Sequence, residues 1–241
     1  MKGPPMQKML CSTVLVLTVL GQAIHADDKK VGFQDREYKE AKYVLFVPDD
    51  YTGDKEVPLI LFLHGRGESG SDGKKQATVG LGNAIKKNEK TFPFIAIFPQ
   101  SQKASWKADS EDGLRAIAIL EEIQKEYKVD PKRIVLTGLS MGGAGTWSHA
   151  AKYPDRWSAM VPICGSGDTL TAATIKDIPC WCFWGDQDAS VSASMPKMIK
   201  AVEEAGGKPK FTEYPGVGHN SWDKAYGTPE LFTWMLEQKR K

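Results

Sequence analysis

Short apolar runs recur along the chain, separated by longer segments in which apolar and polar positions repeat with a helical period. Residues 58–63 and 94–98 are continuously apolar, which is typical of strands buried on both faces of a parallel sheet. The predicted strands are residues 38–47, 58–63, 94–98, a run from 133, 157–163, 179–184 and 211–214. The predicted helices are residues 76–88, 112–127, 141–152, 193–205 and 229–241. The apolar stripe of the helix 112–127 consists of Leu114, Ile117, Leu120 and Ile123.

Buried strands that alternate with helices predict an α/β fold whose mostly parallel sheet is covered by helices on both faces. Residues 38–47 alternate in polarity, so we expect them to form an antiparallel edge strand. The length of 241 residues suits one domain with a substantial core. Because the sequence contains no repeat or linker, we expect residues 27–241 to form a single domain.

The N-terminal residues 1–26 have the pattern of a secretory signal peptide. Lys2 and Lys8 come before an apolar run at residues 9–20, and small residues lead up to Ala26. The run is shorter than the roughly twenty residues of a membrane span. Cleavage after Ala26 fits best, with Ala23 as the alternative site and an uncleaved anchor as the rival interpretation. We therefore expect a secreted or periplasmic protein without a stable membrane span.

Charge and cysteine content narrow the chemistry further. Removal of the signal takes away Lys2 and Lys8, so the 32 basic residues fall to 30 and equal the 30 acidic ones. Because the net charge is then near zero, nucleic-acid binding is not predicted. Cys164, Cys180 and Cys182 remain, and we expect them to be buried and unpaired, with a Cys164 bridge as the alternative. Since no second ligand cluster accompanies the Cys-x-Cys pair, we expect neither a metal site nor a cofactor.

The run from residue 133 leads into Gly138-Leu139-Ser140-Met141-Gly142, a Gly-x-Ser-x-Gly motif followed by a predicted helix. This is the sequence form of a nucleophile elbow, a sharp strand-to-helix turn that exposes the serine hydroxyl. Gly138 and Gly142 leave room where larger side chains would make strand and helix clash. By itself the motif also fits an ordinary loop, so the rest of the chain must supply partners for Ser140.

A nucleophilic serine needs a histidine base and a carboxylate that orients that base, in the chain order serine, acid, histidine. The four histidines are His25, His64, His149 and His219. His219 alone follows a plausible acid, whereas His149 lies on the helix after the serine and is expected to face away. Asp186 and Asp188 both follow the strand 179–184, at the edge of the sheet where such sites lie. One is expected to orient His219 and the other to bond to the backbone of its own turn.

Backbone N–H groups are the expected donors to the oxyanion that forms when a serine attacks a carbonyl. Met141 follows the serine and supplies one of them. The loop 64–70 follows an earlier strand, and we assign the second donor to Arg66, with Gly67 next; the Arg66 side chain is expected to be solvated. The loop also matches a dinucleotide-binding Gly-x-Gly-x-x-Gly pattern, but no helix opens directly after it, which disfavours nucleotide binding.

Residues 38–240 resemble the α/β-hydrolase fold. Four motifs carry this resemblance: the His-Gly loop, Gly-Leu-Ser-Met-Gly-Gly, Gly-Asp-Gln-Asp-Ala-Ser-Val and Gly-His-Asn-Ser-Trp. They are most similar to small secreted esterases of the carboxylesterase, feruloyl-esterase and polyhydroxybutyrate-depolymerase-like group, often labelled predicted peptidases or prolyl-oligopeptidase-like. Matching to that group implies Ser140 as nucleophile, His219 as base and Asp188, in Gly-x-x-Asp-x-x-Val, as acid. Arg66 departs from a loop that is often richer in glycine.

The resemblance implies hydrolysis of carboxylic esters by an acyl-enzyme mechanism. The connection from residue 164 to 179 is too short for a helical lid, which favours short acyl groups or carbohydrate and phenolic esters, free or linked to a polysaccharide. Trp106 and Trp222 are candidate walls of the substrate cleft, although either could simply pack. The alternatives to an esterase are a peptidase that uses the same three residues and a catalytically silent binding protein with this fold.

Overall fold

The computed structural model describes residues 30–240 together with Met1 and Gly3. The predicted signal peptide, residues 1–26, otherwise lies outside the described residues. The strands are β1 Gly32–Tyr38, β2 Ala41–Val47, β3 Val57–Leu63, β4 Ile95–Pro99, β5 Val129–Leu139, β6 Ala159–Ile163, β7 Trp181–Gly185 and β8 Lys210–Tyr214. The helices are α1 Leu81–Lys87, α2 Glu111–Glu126, α3 Met141–Lys152, α4 Ala172–Ile175, α5 Met195–Glu204, α6 Trp222–Tyr226 and α7 Pro229–Glu237.

All eight strands join one open sheet in the order β1-β2-β4-β3-β5-β6-β7-β8. β2 pairs antiparallel with β1 and β4, and every other pair of neighbours is parallel. The continuously apolar β3 and β4 lie in the interior of the sheet and are almost entirely buried, because both of their faces are covered. The predicted α/β class with a mostly parallel sheet is therefore confirmed.

The first hairpin differs from the prediction. Residues 38–47 are not one edge strand, because Lys39 and Glu40 turn the chain with φ of 45° and 64°. β1 precedes this turn and forms the edge, while β2 lies inside the sheet. The half-buried sequence of β1 carries four polar residues in a row, so its apolar alternation is weak.

Two helix predictions also need correction. The segment 76–88 is broken into a 3-10 turn, Lys75–Ala77, and α1, with Gly80 at φ 52° between them. Leu114, placed on the buried stripe of α2, is 52% exposed. Ile117, Leu120 and Ile123 are buried as predicted, together with Ala116 and Ile119.

The cysteines follow the preferred prediction. Cys164, Cys180 and Cys182 are buried and unpaired. Cys180 and Cys182 point to the same side of the chain, and their sulfur atoms are 3.3 Å apart, the distance of a hydrogen bond and not of a disulfide.

Ser140 stands where α3 leaves the sheet, and glycines make that close crossing possible. A Cβ atom added to Gly142 would lie 1.8 Å from the carbonyl oxygen of Leu63, the last residue of β3. A Cβ at Gly138 would lie 2.4 Å from the carbonyl oxygen of Gly142. Both positions therefore exclude every side chain, as the sequence predicts.

The carboxyl ends of the strands are not covered by a helical lid within residues 30–240. Between β6 and β7 the chain forms only a 3-10 turn, Thr169–Thr171, and the four-residue helix α4. Within the same part of the chain, each helix is too short or too polar to cross a membrane.

Candidate active site

Ser140 occupies a strained strand-to-helix turn between β5 and α3. Its backbone has φ 54° and ψ −117°, a left-handed conformation that residues other than glycine rarely adopt. The turn is fixed on both sides, since the Ser140 N–H donates to Ile163 (2.9 Å) and its carbonyl accepts from Ala144 (3.0 Å). This is the geometry of a nucleophile elbow, and it leaves the Ser140 hydroxyl partly accessible.

His219 lies in the loop after β8 and bridges Ser140 to Asp188. Its Nε2 atom is 2.8 Å from Ser140 Oγ, and its Nδ1 atom is 2.6 Å from Asp188 Oδ2. A ring protonated at Nδ1 would donate to the carboxylate and accept the serine hydroxyl proton. The structure thus brings together the three residues predicted to form the catalytic centre.

Asp188 is buried, and its two carboxylate oxygens have separate partners. Oδ2 faces His219, whereas Oδ1 accepts hydrogen bonds from the Ser190 hydroxyl (2.5 Å) and the Ser190 N–H (3.1 Å). Burial opposes ionisation of this carboxyl, but the hydrogen bonds from Ser190 and His219 outweigh it and lower the pKa of Asp188. Ser190 was missed by sequence reasoning, although a serine two residues after an aspartate is a recognisable turn pattern.

Asp186 has a different role from the one expected of it. Its Oδ1 atom accepts the N–H of Gly216 (2.8 Å), which lies in the loop after β8 and not in the turn of Asp186 itself. Gly216 has φ 68°, so the loop turns sharply at this bond. Asp186 therefore fixes the loop that carries His219.

The two expected oxyanion donors come from two different turns near Ser140. Met141 is the first residue of α3, where a backbone N–H has no partner within the helix. Arg66 begins a 3-10 turn, Arg66–Glu68, and its side chain is exposed. In the described part of the chain, neither N–H donates to another protein group. Gly65 lets this loop approach, since a Cβ there would lie 2.9 Å from Leu139 and 3.6 Å from Ser140 Cβ.

His64 and His149 are buried away from this arrangement. His64 Nε2 accepts the Ser101 N–H (2.9 Å), and its Nδ1 lies 2.6 Å from the Gly65 carbonyl, so the neutral ring carries its proton on Nδ1. Burial lowers the pKa of both histidines to about 4. Neither ring nitrogen of His149 has a hydrogen-bond partner among the described residues.

The two candidate tryptophans differ in exposure. Trp106 is only 2% exposed, and its ring nitrogen donates to the His64 carbonyl (2.9 Å), so it packs beneath the loop 64–70. Trp106 is nevertheless one of the residues that line a cavity beside Met141, so its role as a wall of the substrate cleft stays a prediction. Trp222 is half-buried, with its ring edge-on to His219 at a centroid distance of 5.7 Å.

One set of possible metal ligands overlaps this site. Donor atoms of Cys164, Asp188 and His219 lie within 4.8 Å of one another. Burial raises the pKa of the Cys164 thiol to about 12, which keeps it protonated and a poor ligand. Asp188 and His219 already bond to each other, so this set does not favour a metal centre.

A cavity of about 500 Å³ opens beside Met141. Its floor is one face of α3, and its walls are the loop after β4, residues 104–109, and the loop after β6, residues 166–171. This volume falls within the roughly 300–1,000 Å³ of small-molecule sites.

The chain is similar to known hydrolases and esterases. A model of the dienelactone hydrolase family matches residues 34–225. A probable feruloyl esterase C of Aspergillus flavus is 23% identical over 177 residues, which cover 66% of this chain and 61% of that protein. A poly(3-hydroxyalkanoate) depolymerase C of Paucimonas lemoignei is 26% identical over 122 residues, which cover 45% of this chain and 28% of that protein. The crystal structure of a thermostable esterase is 33% identical with a TM-score of 0.80, covering 86% of this chain and 63% of that one. The chain thus spans less than two thirds of the length of each of these three proteins.

The two aspartates provide a matched test of the acid. Asp188→Asn removes the charge that faces His219 and favours the wrong ring tautomer, so we expect kcat for p-nitrophenyl acetate to fall by about a thousandfold or more. Asp186→Asn keeps an amide oxygen for the Gly216 N–H, so kcat should fall less than about tenfold. Steady-state kinetics of both variants decides; a larger loss in Asp186→Asn would overturn the assignment.

Proposed function

The chain belongs to the dienelactone hydrolase family of the α/β-hydrolase superfamily, and we propose that it is a serine carboxylesterase whose catalytic residues are Ser140, His219 and Asp188. The observation that carries the proposal is the pair of contacts made by the His219 ring, 2.8 Å to Ser140 and 2.6 Å to Asp188. These distances lie within the range needed for proton transfer between a nucleophile and its base.

In the first half of the reaction, Ser140 Oγ attacks the ester carbonyl while its proton moves to His219 Nε2. Asp188 accepts the Nδ1–H bond and stabilises the imidazolium that forms. When the tetrahedral intermediate collapses, the bond from carbon to the alcohol oxygen breaks, and His219 donates its proton to that oxygen. The alcohol leaves, and the acyl group remains as an ester of Ser140.

In the second half, a water molecule takes the place of the alcohol. His219 removes a proton from the water, which attacks the acyl carbon. Collapse of this second intermediate breaks the bond to Ser140 Oγ, and His219 returns the proton to the serine. The products are the acid and the unchanged enzyme.

Both intermediates carry a negative oxygen, for which we propose the backbone N–H groups of Met141 and Arg66 as hydrogen-bond donors. Two observations support this choice. Neither N–H is used by another protein group in the described part of the chain, and Gly65 brings the Arg66 turn close to Ser140. One such donor contributes about 3 kcal/mol to transition-state stabilisation in well-studied hydrolases.

Short acyl esters and carbohydrate or phenolic esters, free or attached to a polysaccharide, are the proposed substrates. Residues 30–240 form no helical lid over the candidate active site, which supports access to Ser140 by an ester displayed on a polymer. The names of relatives point the same way, since they include feruloyl esterases and a bifunctional acetylxylan esterase/xylanase of Neocallimastix patriciarum. Trp222, half-exposed beside His219, is the proposed contact for the alcohol part.

Export is a further part of the proposal. We propose that residues 1–26 direct secretion and are removed, leaving residues 27–241 as a single catalytic domain. The basic start, the apolar run and Ala26 before an acidic pair support this. N-terminal sequencing of the exported protein should give Asp27 as its first residue, whereas an intact Met1 would contradict cleavage.

Alanine variants test the catalytic roles. Ser140→Ala and His219→Ala should each abolish hydrolysis of p-nitrophenyl acetate, because one lacks the nucleophile and the other the base. Circular dichroism and thermal unfolding should match the wild type in both. Ser71→Ala, which changes an exposed serine in the loop after β3, is the control and should keep full activity.

Two further results would contradict the proposal. Retained activity in either variant would show that another group carries the reaction. Faster cleavage of peptide amides than of activated esters by the wild-type protein would favour a peptidase.

A further inference from the structure

The cavity beside Met141 begins at the residue that follows the candidate nucleophile. Its floor consists of α3 residues that recur every three or four positions and so share one face of the helix, namely Met141, Ala144, Gly145, Ser148 and Ala151. At about 1.5 Å per residue, this row extends about 15 Å from the residue that follows Ser140. The acyl group of an ester whose carbonyl carbon is attacked by Ser140 Oγ could therefore lie along the helix.

The walls of the cavity are held in place by buried contacts. On one side, Trp106 packs onto Gly145, where an added Cβ would lie 2.4 Å from Trp106 Cβ. The start of this loop is anchored by the buried Asp112, which accepts bonds from the Ser101 hydroxyl and the Lys103 N–H. On the other side, the Trp147 ring nitrogen donates to the Gly165 carbonyl (3.0 Å). The cavity is thus preformed.

The cavity and the histidine lie on different sides of Ser140. None of the described residues 186–190 or 216–222, which carry Asp188 and His219, lines the cavity. His219 must reach the leaving alcohol oxygen to protonate it, so the alcohol has to lie near the histidine loop. We propose that the cavity binds the acyl part of the ester, an inference that rests on the proposed function.

The lining also indicates which acyl groups fit. Met141, Ala144 and Ala151 offer an apolar surface for the body of the group. Ser148 Oγ accepts the Ala108 N–H (3.0 Å), and no described residue accepts the Ser148 hydroxyl proton, which is left to donate to a ligand. An acyl group with an apolar body and an oxygen acceptor farther along the helix matches this pattern.

Charge at the cavity disfavours acyl groups that carry a carboxylate. Lys107 contributes one positive charge to the lining, while Asp109 and Asp168 contribute two negative charges. All three are exposed, so the effect is one of moderate repulsion. The preferred acyl group is uncharged and larger than acetyl.

Ala144 and Ala151 then determine acyl length, since a larger side chain at either position occupies the cavity. They lie seven residues apart, or about 10 Å along the helix. Ala144→Leu should therefore exclude most groups larger than acetyl, whereas Ala151→Leu should exclude only the longest. Ala173, an exposed residue of the short helix α4 outside the cavity, provides the matched control.

The test measures kcat/KM for p-nitrophenyl acetate, butanoate, phenylpropanoate, hydroxyphenylpropanoate and hemisuccinate. A second series keeps the acetyl group and varies the alcohol between p-nitrophenol, methylumbelliferone and naphthol. Ala144→Leu should lower the ratio of phenylpropanoate to acetate by about tenfold or more, as expected for filling an apolar pocket. The wild type should prefer hydroxyphenylpropanoate to hemisuccinate, and Ala173→Leu should leave both series unchanged.

Three results would overturn the proposal, and they separate it from the proposed function. If Ala144→Leu and Ala151→Leu change the alcohol series and not the acyl series, the cavity holds the alcohol. If neither variant changes either series while the wild type hydrolyses acetate, the cavity is outside the substrate path and the esterase proposal still stands. If the folded wild type hydrolyses no ester in either series, both proposals fail together.

Discussion

The candidate site depends on a close backbone crossing between the start of α3 and the ends of the central strands. A Cβ at Gly143 would lie 2.3 Å from the Ile163 carbonyl oxygen, and one at Gly165 would lie 2.2 Å from the Ala144 nitrogen. Any side chain at these positions would push α3 away from the sheet. Because a hydrogen bond weakens over a few tenths of an ångström, such a shift would take Ser140 out of reach of His219.

The candidate acid, Asp188, and the candidate base, His219, are held in different environments, and the difference matters for the proposed chemistry. Asp188 is 3% exposed and accepts three hydrogen bonds, two from Ser190 and one from His219, so its orientation is fixed. The His219 side chain is 44% exposed, at the open end of the sheet. A fixed carboxylate that holds an accessible ring in one tautomer suits repeated proton transfer. Asp186 supports the arrangement from outside by holding the loop at Gly216.

Much of this architecture could be predicted from sequence, because the strands buried on both faces are continuous apolar runs. The Gly-x-Ser-x-Gly motif and the chain order predicted Ser140 and His219, whereas the choice of Asp188 over Asp186 came from the family resemblance. β1 was missed because a half-buried edge strand carries little apolar signal. The burial of Trp106 and the bond from Gly216 to Asp186 depend on contacts between distant loops, and no local pattern encodes them.

The central claim is that Ser140 is an activated nucleophile, and covalent trapping tests it most directly. A p-nitrophenyl alkylphosphonate reacts with a serine whose proton is removed by a neighbouring base, and it forms a stable analogue of the tetrahedral intermediate. Intact mass spectrometry followed by peptide mapping should find one phosphonyl group per chain, on Ser140. Absence of an adduct on the folded protein, or an adduct on another residue, would contradict the account.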